Sequence, residues 1–332
     1  MIRVTDFSSL EREGPLRRSA VTIGNFDGCH LGHQQLLAAA RRYAAALEAQ
    51  SVAVTFRPRP EAFFKGLAAE PLLFTEEQKT RALAELAIAY QVAQPFDLAL
   101  SSMGYEAFYE SCLKTILGAV ALVVGDNFRF GQGRQGNAAF LADRGRADGL
   151  EVTIGEAAQW AGERISSSRV RAALRADGDV TAATAMLGRP YMLEGVIAQG
   201  DQLGRQLGVP TANLEDVSQL LPRYGIYAGY VWLAAPARSA DRPPVMHLPS
   251  DAIPAVFSFG IRPTLKSEHT PVRLEAHLLA GTYGLGELYG RRAGYYLTHH
   301  LRDELTFANL DELKARIAQD IDEAKRVLSG KS

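Results

Sequence analysis

The sequence contains little cysteine and almost no net charge. Only Cys29 and Cys112 are present among 332 residues, and 36 Lys and Arg residues nearly balance 37 Asp and Glu residues. Two cysteines cannot build a disulfide framework, which favours a reducing compartment, and we expect a cytoplasmic protein. A net charge of −1 gives no electrostatic basis for non-specific binding to nucleic acid. We therefore expect no nucleic-acid partner.

Long apolar runs are also missing. No run approaches the ~18 apolar residues of a membrane span. The first residues, MIRVTDFSSLEREG, include no apolar segment typical of a secretory signal. We expect no membrane partner. The hydrophobic content of 47% is that of a globular protein, and 332 residues exceed one typical core, so the sequence predicts two domains.

Residues 20–37, AVTIGNFDGCHLGHQQLL, predict a strand, a glycine-containing turn and the start of a helix. A helix N-terminus offers unpaired N–H groups and partial positive charge, which suit an anion. His30 and His33 lie on roughly one side of this helix start and add donors, which indicates a phosphate site. Two alternatives stay open: His30 caps the helix, or the HxxH pair is half of a metal site, although no third ligand stands nearby. Cys29 is expected to be packed and unreactive.

Strands and helices alternate through the first half of the chain. The patterns predict helices over residues 34–47, 75–89, 104–117 and 137–148 and strands over residues 51–56, 91–96, 119–124 and 150–154. Such alternation is typical of a parallel α/β sheet, whose ligands bind at the carboxyl ends of the strands. Residues 24–33 and 125–131 both follow predicted strands. We therefore expect these two loops to form one site.

Serines and arginines lie together in residues 164–171, RISSSRVR, directly before a predicted helix. Serine is a favoured helix cap, so a purely structural role is open. Hydroxyls and guanidinium groups at a helix N-terminus also make a good phosphate clamp.

The pattern changes after residue 190. Short β-rich segments at residues 192–198, 226–233, 255–260, 273–279 and 292–301 are separated by glycine and proline turns, which predicts a small antiparallel barrel or sandwich. Residues 236–254 contain five prolines and are predicted to form a long surface loop. Residues 309–328 are predicted to form an amphipathic helix. We predict domains at residues 1–187 and 188–332.

Motifs in both halves resemble those of the prokaryotic bifunctional riboflavin kinase/FAD synthetases. The first half carries GNFDGCHLGH (residues 24–33), TFRPRP (55–60), VVGDNFRFG (123–131) and ISSSRVR (165–171). The second half carries GRPYMLEG (188–195), GRQLGVPTANL (204–214), YGIYAG (224–229), FGIRPT (259–264), LEAHLL (274–279), LYG (288–290) and LRDELTF (301–307). HxGH followed by ISSSxxR and then by GRxLGxPTAN is a specific combination, and the resemblance covers nearly the whole chain.

The resemblance implies that the first domain is a Rossmann-like nucleotidyltransferase that joins FMN to ATP, giving FAD and pyrophosphate. It assigns His30 and His33 to catalysis and to the phosphates. The expected ATP- and phosphate-binding residues are Gly24, Phe26, Asp27, Gly28, His30, His33, Ser167, Ser168 and Arg171. Asn127 and Phe128 are expected in a loop facing flavin or nucleotide. Mg²⁺ is expected to bridge the leaving pyrophosphate.

The second domain resembles the riboflavin kinase barrel, which phosphorylates riboflavin with ATP. The sequence has no GxxxxGK[ST] loop, so its phosphate contacts must differ from those of P-loop kinases. The resemblance implies phosphate contacts from Gly200, Gly204, Arg205, Thr211 and Asn213. It also implies Mg²⁺ ligands at Thr211 and Asn213, Glu275 as the general base, and a flavin contact from Arg302. Taken alone, residues 210–213 (PTAN) favour a simple turn over a binding segment.

The sequence departs from the family pattern at several places, including residues 279–284, which lack the acid that relatives usually have after the segment matching residues 274–279. Arg59 stands where many relatives have histidine, Asn127 replaces a commoner aspartate, and Ser258 replaces asparagine. One rival interpretation is that only the adenylyltransferase is active and the barrel is a regulatory flavin-binding module. Another is a nucleic-acid-linked protein, either a truncated class I synthetase-like enzyme or a small-barrel RNA binder, which the charge disfavours. The sequence leaves the oligomeric state open, a homo-oligomer included.

Overall fold

The chain folds into two compact units, Met1–Ser167 and Ser168–Ser332. The structure is a computed structural model that describes residues 1–66, 70–199, 209–236, 241–261, 272–280 and 285–330. The division between the units falls N-terminal to the domain boundary predicted at residues 187–188, and that boundary stays a prediction. Each unit is described separately below.

The first unit is built on a six-stranded parallel sheet. The strands of this sheet are β1 (Ile2–Val4), β2 (Ser19–Ile23), β3 (Gln50–Arg57), β4 (Tyr90–Pro95), β5 (Ala119–Gly125) and β8 (Glu151–Gly155). Two separate short pairs are formed by β6 (Arg129–Phe130) with β7 (Gly136–Asn137) and by β9 (Gln159–Trp160) with β10 (Glu163–Arg164). The sheet order is β1-β4-β3-β2-β5-β8. After β2 the chain adds β3 and β4 on one side and later returns to place β5 on the other. The carboxyl ends of β2 and β5 therefore lie at the switch point where α/β sheets bind ligands.

Helices connect these strands. They are α1 (Phe7–Glu13), α2 (Leu31–Ala46), α3 (Pro60–Lys65), α4 (Glu76–Glu85), α5 (Leu98–Ser101), α6 (Tyr105–Ala107), which continues as a π-helix (Phe108–Ile116), and α7 (Ala138–Ala147). Every residue of β2 is buried, and the core beside it includes Val21, Val54 and Leu122. The continuous apolar runs of the central strands are explained by this burial on both faces of the sheet. The predicted parallel α/β architecture is confirmed.

Helix α4 begins where its sequence predicts. Thr75 caps the helix by accepting the N–H of Gln78, and the Gln78 side chain accepts the N–H of Thr75, which completes a capping box. The helix ends at Glu85, short of the predicted end at residue 89. The segment that leads into this helix contacts the candidate site, as described below.

The second unit consists of helices and a closed barrel. Its elements are α8 (Ser167–Ala172), which spans the division, a π-helical turn (Ala173–Asp177), α9 (Val180–Leu187), β11 (Tyr191–Ala198), β12 (Ala212–Glu215), β13 (Gly225–Leu233), β14 (Ile253–Ile261), β15 (Val272–Leu278), α10 (Leu285–Leu288), β16 (Arg292–Arg302) and α11 (Leu310–Leu328). The closed barrel has the order β11-β12-β15-β14-β13-β16, and its pairings are antiparallel. The predicted barrel with a C-terminal helix is confirmed.

Side chains alternate between the inside and the outside of this barrel. Large aromatic rings, including Tyr227, Phe257 and Tyr295, are fully buried. On the outside, Ile226, Ala228 and Val256 pack against Ala324 of α11. The apolar stripe predicted for α11 contacts the barrel through its C-terminal half, whereas Leu310 at its start is 54% exposed. Part of the outer face is thus covered by a helix.

The prediction of a surface loop over residues 236–254 is partly wrong. Residues 241–252 have no helix or strand, but Val245 is only 2% exposed. The buried guanidinium of Arg189 donates to the Val245 carbonyl at 2.5 Å, and Tyr296 donates to the Pro244 carbonyl at 2.6 Å. These bonds hold the segment against the barrel, which composition alone could not indicate.

Candidate active sites

The first candidate site lies at the carboxyl ends of β2 and β5. The two strands pair directly, so the turn after Ile23 and the loop after Gly125 are neighbours. A cavity of about 250 Å³ lies between them. Its lining includes, from the predicted set, Gly24, Phe26, His30, His33, Asn127, Phe128 and Ser167. The structure therefore brings together motifs that are more than 130 residues apart, as 140 positions separate Asp27 from Ser167.

The turn from β2 to α2 is tight. Phe26, Gly28 and Cys29 have φ angles of 46°, 76° and 39°, in the left-handed region. Glycine adopts this region readily, whereas Phe26 and Cys29 are strained there, and such strain concentrates at functional sites. Cys29 is fully buried, as expected.

His30 and His33 stack at the start of α2. Their ring centroids are 3.7 Å apart with an interplanar angle of 16°. His30 caps the helix, since its Nδ1 accepts the N–H of His33 at 3.3 Å. An accepting Nδ1 carries no proton, which places the proton of neutral His30 on Nε2. The cap that was an open alternative is thus present, and the same ring also lines the cavity.

The environment of His33 favours its neutral form. Burial lowers the pKa of His33 well below its usual value, and the charges of His30 and Lys79 lower it further. Nδ1 of His33 is buried and has no hydrogen-bond partner among the described residues. A buried polar atom at the edge of a cavity is the kind of group that a bound ligand satisfies.

Asp27 has a different set of partners from the phosphate contact expected for it. Its carboxylate is 2% exposed and forms an ion pair with Arg59 at 3.3 Å. Oδ1 of Asp27 accepts the backbone N–H groups of Leu73 and Phe74 at 3.0 and 2.9 Å. The carboxylate is thus tied to protein groups, because a buried charge is costly without them.

A larger cavity of about 810 Å³ opens beside the first and shares Gly24, Asn127 and Phe128 with it. Its lining is rich in aromatic and apolar side chains: Phe56, Phe64, Phe96, Leu100, Met103, Phe108, Phe128 and Phe130. Asn25, Arg129 and Arg134 supply polar groups. A planar ring system with a polar substituent suits this lining.

Sequence reasoning missed several lining residues. Gly155, the last residue of β8, and Glu156, directly after it, line the smaller cavity, and β8 is the neighbour of β5. The rule that ligands bind at strand ends could have found them. Arg164 also lines this cavity and holds Asp126 of the neighbouring loop through two hydrogen bonds, one of them 3.0 Å long. This ion pair lowers the pKa of Asp126.

The serine–arginine motif contributes Ser167 to the first cavity. The Ser167 hydroxyl donates to the Asp27 carbonyl at 2.9 Å. Ser168 and Arg171 follow on α8 and belong to the second compact unit, and Arg171 is buried. Their contribution to phosphate binding stays a prediction.

The second candidate site lies on the outer face of the barrel. Ala212 pairs with Ala276 and both are buried inside, so the next pair, Asn213 and Glu275, lies on the outside. Strand β12, which carries Asn213, was missed in the sequence because it is only four residues long. The register continues across the sheet, since Glu275 pairs with Ser258 and Ser258 with Ile226.

Polar groups surround the Glu275 carboxylate. Its Oε2 accepts the Thr211 hydroxyl at 3.4 Å, and its Oε1 lies 3.4 Å from Nη1 of Arg273. The Glu275 side chain is 25% exposed, so it reaches solvent. Helix α11 covers Ile226 in the same row, whereas Ser258 is exposed. The structure thus brings Thr211, Asn213 and Glu275 together on an accessible part of the barrel.

Arg302 is bound to α11. Its Nη2 donates to Oδ2 of Asp320 at 2.6 Å, and its Nε donates to the same carboxylate at 2.9 Å. The expected flavin contact of Arg302 therefore stays a prediction, with its guanidinium already engaged. Gly200, Gly204 and Arg205 lie outside the described residues. Across the described chain, no helix has both the length and the apolar character needed to cross a membrane.

The first unit is a nucleotidyltransferase-like parallel α/β unit with stacked histidines at its switch point. The second contains a small barrel with an outward carboxylate. This combination is a two-part transferase architecture. Family models match both parts: one described as FAD synthetase over residues 13–169, and one described as riboflavin kinase over residues 187–328. The chain belongs to the family of bifunctional riboflavin kinase/FMN adenylyltransferases.

Relatives of that description resemble this chain over most of its length. The Escherichia coli (strain K12) bifunctional riboflavin kinase/FMN adenylyltransferase is 35% identical over 93% of this chain and 92% of its own length. The Pseudomonas fluorescens protein of the same description is 35% identical over 93% of both chains. A crystal structure described as a macrolide-efflux protein from Streptococcus pneumoniae matches 98% of both chains with a TM-score of 0.80 and 22% identity. That likeness supports the fold alone.

Proposed function

We propose that this chain makes FAD in two steps, phosphorylating riboflavin to FMN with ATP and then joining FMN to AMP from a second ATP. Membership of the family supports both activities. The observation that carries the assignment is the presence, in one chain, of the stacked His30 and His33 at the α/β switch point and of Glu275 beside Asn213 on the barrel.

For the adenylyl transfer, we assign ATP phosphates to the smaller cavity and the flavin ring to the larger one. An FMN phosphate oxygen attacks the α-phosphorus of ATP, a new P–O bond forms, and the bond to the β-phosphate oxygen breaks to release pyrophosphate. Positioning and charge stabilisation are sufficient for such a transfer. The shared lining residues Gly24, Asn127 and Phe128 support this arrangement, because the two reacting phosphates must meet where the cavities join.

His30 and His33 have distinct roles in this proposal. The protonated Nε2 of His30 donates to a phosphate oxygen, while its Nδ1 holds the helix start. His33 stays neutral, and its buried Nδ1 gains a partner when phosphate binds. Gly28 contributes its backbone N–H in the turn. The rings of Phe26 and His33 pack in a T-shaped arrangement, with centroids 5.3 Å apart. Ser167 completes these contacts in the first unit, and Ser168 and Arg171 are proposed phosphate contacts on the basis of the family resemblance alone.

For the kinase step, Glu275 accepts the proton of the riboflavin 5′-hydroxyl. The hydroxyl oxygen forms a bond to the γ-phosphorus of ATP, the bond to the β-phosphate oxygen breaks, and ADP leaves. Partial exposure of Glu275 gives the hydroxyl access, and the Thr211 hydroxyl and Arg273 orient the carboxylate. Gly200, Gly204 and Arg205 are proposed phosphate contacts on the basis of the family resemblance alone.

The donor set beside Glu275 fits Mg²⁺. Thr211 and Asn213 offer a hydroxyl and an amide oxygen next to a carboxylate, and hard oxygen donors together with phosphate and water suit this ion. When bound there, Mg²⁺ would neutralise charge on the transferring phosphate. Thr211 and Asn213 would hold it, while Glu275 keeps its proton-accepting role.

Both reactions are proposed to take place in the cytoplasm. Cys29 and Cys112 are buried and form no disulfide with each other, and burial raises the pKa of Cys112 to about 11, so the Cys112 thiol is not poised for disulfide chemistry. The proposed partners are riboflavin, FMN and ATP.

Chromatographic separation of flavins tests the proposal. The purified chain is incubated with riboflavin, ATP and Mg²⁺, and in parallel with FMN, ATP and Mg²⁺. FMN followed by FAD in the first reaction supports two working sites. FAD formed only from supplied FMN would support the adenylyltransferase activity and contradict the kinase activity. That result would favour the rival interpretation, in which the barrel is a regulatory module.

A further inference from the structure

Arg59 and Asp27 form a buried ion pair next to the histidine turn. Nη1 of Arg59 lies 3.3 Å from Oδ2 of Asp27, and the two side chains are 6% and 2% exposed. Arg59 is thus almost completely shielded from solvent. Its burial in this pair gives it a different role from that of a solvent-facing phosphate ligand.

The pair joins four segments of the first unit. Arg59 also donates through Nη2 to the Glu70 carbonyl. The other carboxylate oxygen of Asp27 accepts the N–H groups of Leu73 and Phe74, which directly precede the capped start of α4. The Asp27 carbonyl accepts the hydroxyl of Ser167. The turn, the Arg59 segment, the start of α4 and the serine motif therefore all meet at residue 27.

The charge of Asp27 is unfavourable for a neighbouring phosphate site. Asp27 stands three positions before His30, and Ser167, which binds its carbonyl, lines the smaller cavity. A buried carboxylate between lining residues of that cavity repels a polyanion bound there much more strongly than an exposed one would, because little water screens it. A guanidinium in direct contact cancels most of that repulsion.

We propose that Arg59 is a positioning residue of the adenylyltransferase site, which neutralises Asp27 so that the triphosphate of ATP can bind beside the histidine turn. The inference rests on the proposed function of the first unit and deepens it. Arg59 acts through Asp27 and contacts no reacting atom. The proposal predicts that the two partners of the ion pair have opposite effects on ATP binding when each is neutralised alone.

The test compares Arg59→Gln, Asp27→Asn and the double variant in steady-state FAD synthesis from FMN. Arg59→Gln removes the cation paired with Asp27 and raises the KM for ATP about tenfold, with a much smaller change in kcat. Asp27→Asn keeps an oxygen for the Leu73 and Phe74 N–H groups, removes the negative charge and does not raise this KM. The double variant returns to within about threefold of the wild-type KM.

Two controls accompany the variants. Arg146→Gln removes an arginine whose ion pair with Asp143 is exposed, at 81% and 80% side-chain exposure, and leaves the KM unchanged. Riboflavin phosphorylation by the same preparations measures the amount of active second unit, and thermal unfolding of each variant checks that the first unit is folded.

Each outcome decides the proposal. An unchanged KM in Arg59→Gln, or an equal rise in Arg59→Gln and Asp27→Asn, overturns the electrostatic role. If Arg59→Gln does not fold, the double variant decides: a KM near the wild-type value supports charge neutralisation, and a tenfold rise contradicts it. Failure of the wild-type chain to make FAD from FMN would instead overturn the proposed function itself.

Discussion

The imidazole rings of His30 and His33 lie face to face, with centroids 3.7 Å apart, at the first turn of α2. Two cations this close would repel each other, so the pair disfavours double protonation. Burial adds to this effect at His33, and so does Lys79, a fully buried lysine whose Nζ is bound by Glu76 at 2.8 Å. The stacked pair therefore presents uncharged His33 at neutral pH.

The first prediction concerns the titration of His33. We expect its midpoint to lie well below the usual 6.5. Lys79→Met should raise the midpoint, because a nearby positive charge is lost. Histidine-labelled protein in an NMR pH titration measures this, with His33→Gln to assign the signal. Lys114→Met, which removes a lysine of a surface ion-pair cluster, should leave the midpoint unchanged.

The same shift has a consequence for stability. The folded state binds a proton on His33 less readily than the unfolded state, so neutral His33 contributes stability fully above about pH 6.5. That contribution is lost as the pH falls from 6.5 towards the lowered pKa of the folded state. A wild-type midpoint at or above 6.5 would contradict the inferred burial and charge environment.

The second prediction separates the two activities. Glu275→Gln should lower the kcat of riboflavin phosphorylation at least about 100-fold, because the general base is lost, and should spare FAD formation from FMN. His30→Ala combined with His33→Ala should do the reverse. Flavin chromatography of both reactions measures the effects. A folded variant that lost both activities would show that the two sites are not independent.

The parallel unit and the meeting of residues 24–33 with residues 125–131 in one cavity could be predicted from the sequence, because their signals are local. A buried strand, a glycine turn and the HxGH helix start are contiguous in residues 20–37, and strand-end rules place residues 125–131 beside them. The barrel was predicted from the spacing of its short strands, although β12 was missed.

Other parts of the sites depend on contacts between distant segments. The pairing of Arg59 with Asp27 joins positions 32 apart, and no periodicity predicts it. The aromatic lining of the larger cavity comes from several strand ends and helices. Phe56, for example, lies near the end of β3, and Phe96 directly follows β4. The position of Asn213 beside Glu275 depends on the register between β12 and β15. That register could not be predicted, because the residues around Asn213 are typical of a turn.

The third prediction concerns Arg302. Asp320 accepts from Arg302 and also from Nε of Arg316 at 3.1 Å, and it is 3% exposed. Asp320→Ala should therefore lower the free energy of unfolding of the second unit by about 3 kcal/mol, because the Arg302 guanidinium, whose side chain is only 13% exposed, loses its carboxylate partner. In a Trp160→Phe background, the remaining tryptophan, Trp232 in β13, reports on this unit during urea unfolding.

A comparison of KM values distinguishes the structural role of Arg302 from the predicted flavin contact. Arg302→Ala and Asp320→Ala should destabilise the unit similarly. If Arg302 also contacts flavin, only Arg302→Ala should raise the KM for riboflavin in assays below the unfolding transition. Equal KM values for riboflavin in the two variants would show that Arg302 only binds α11 and does not contact flavin.

The fourth prediction tests the stacked histidines through Gly32. A Cβ atom at Gly32 would lie 3.2 Å from Cε1 and 3.3 Å from Nδ1 of His30, so Gly32→Ala must displace the ring that caps the helix and lines the cavity. Alanine is intrinsically better than glycine inside a helix by about 1 kcal/mol, which opposes any loss of stability. We therefore expect FAD synthesis to fall about tenfold or more with little change in thermal unfolding, as misplacement of a catalytic group costs rate.

Gly104→Ala is the matched control, since a Cβ there meets no atom within 4 Å, and it should leave both quantities unchanged. Normal FAD synthesis by Gly32→Ala would show that the position of the His30 ring is not critical for the transfer.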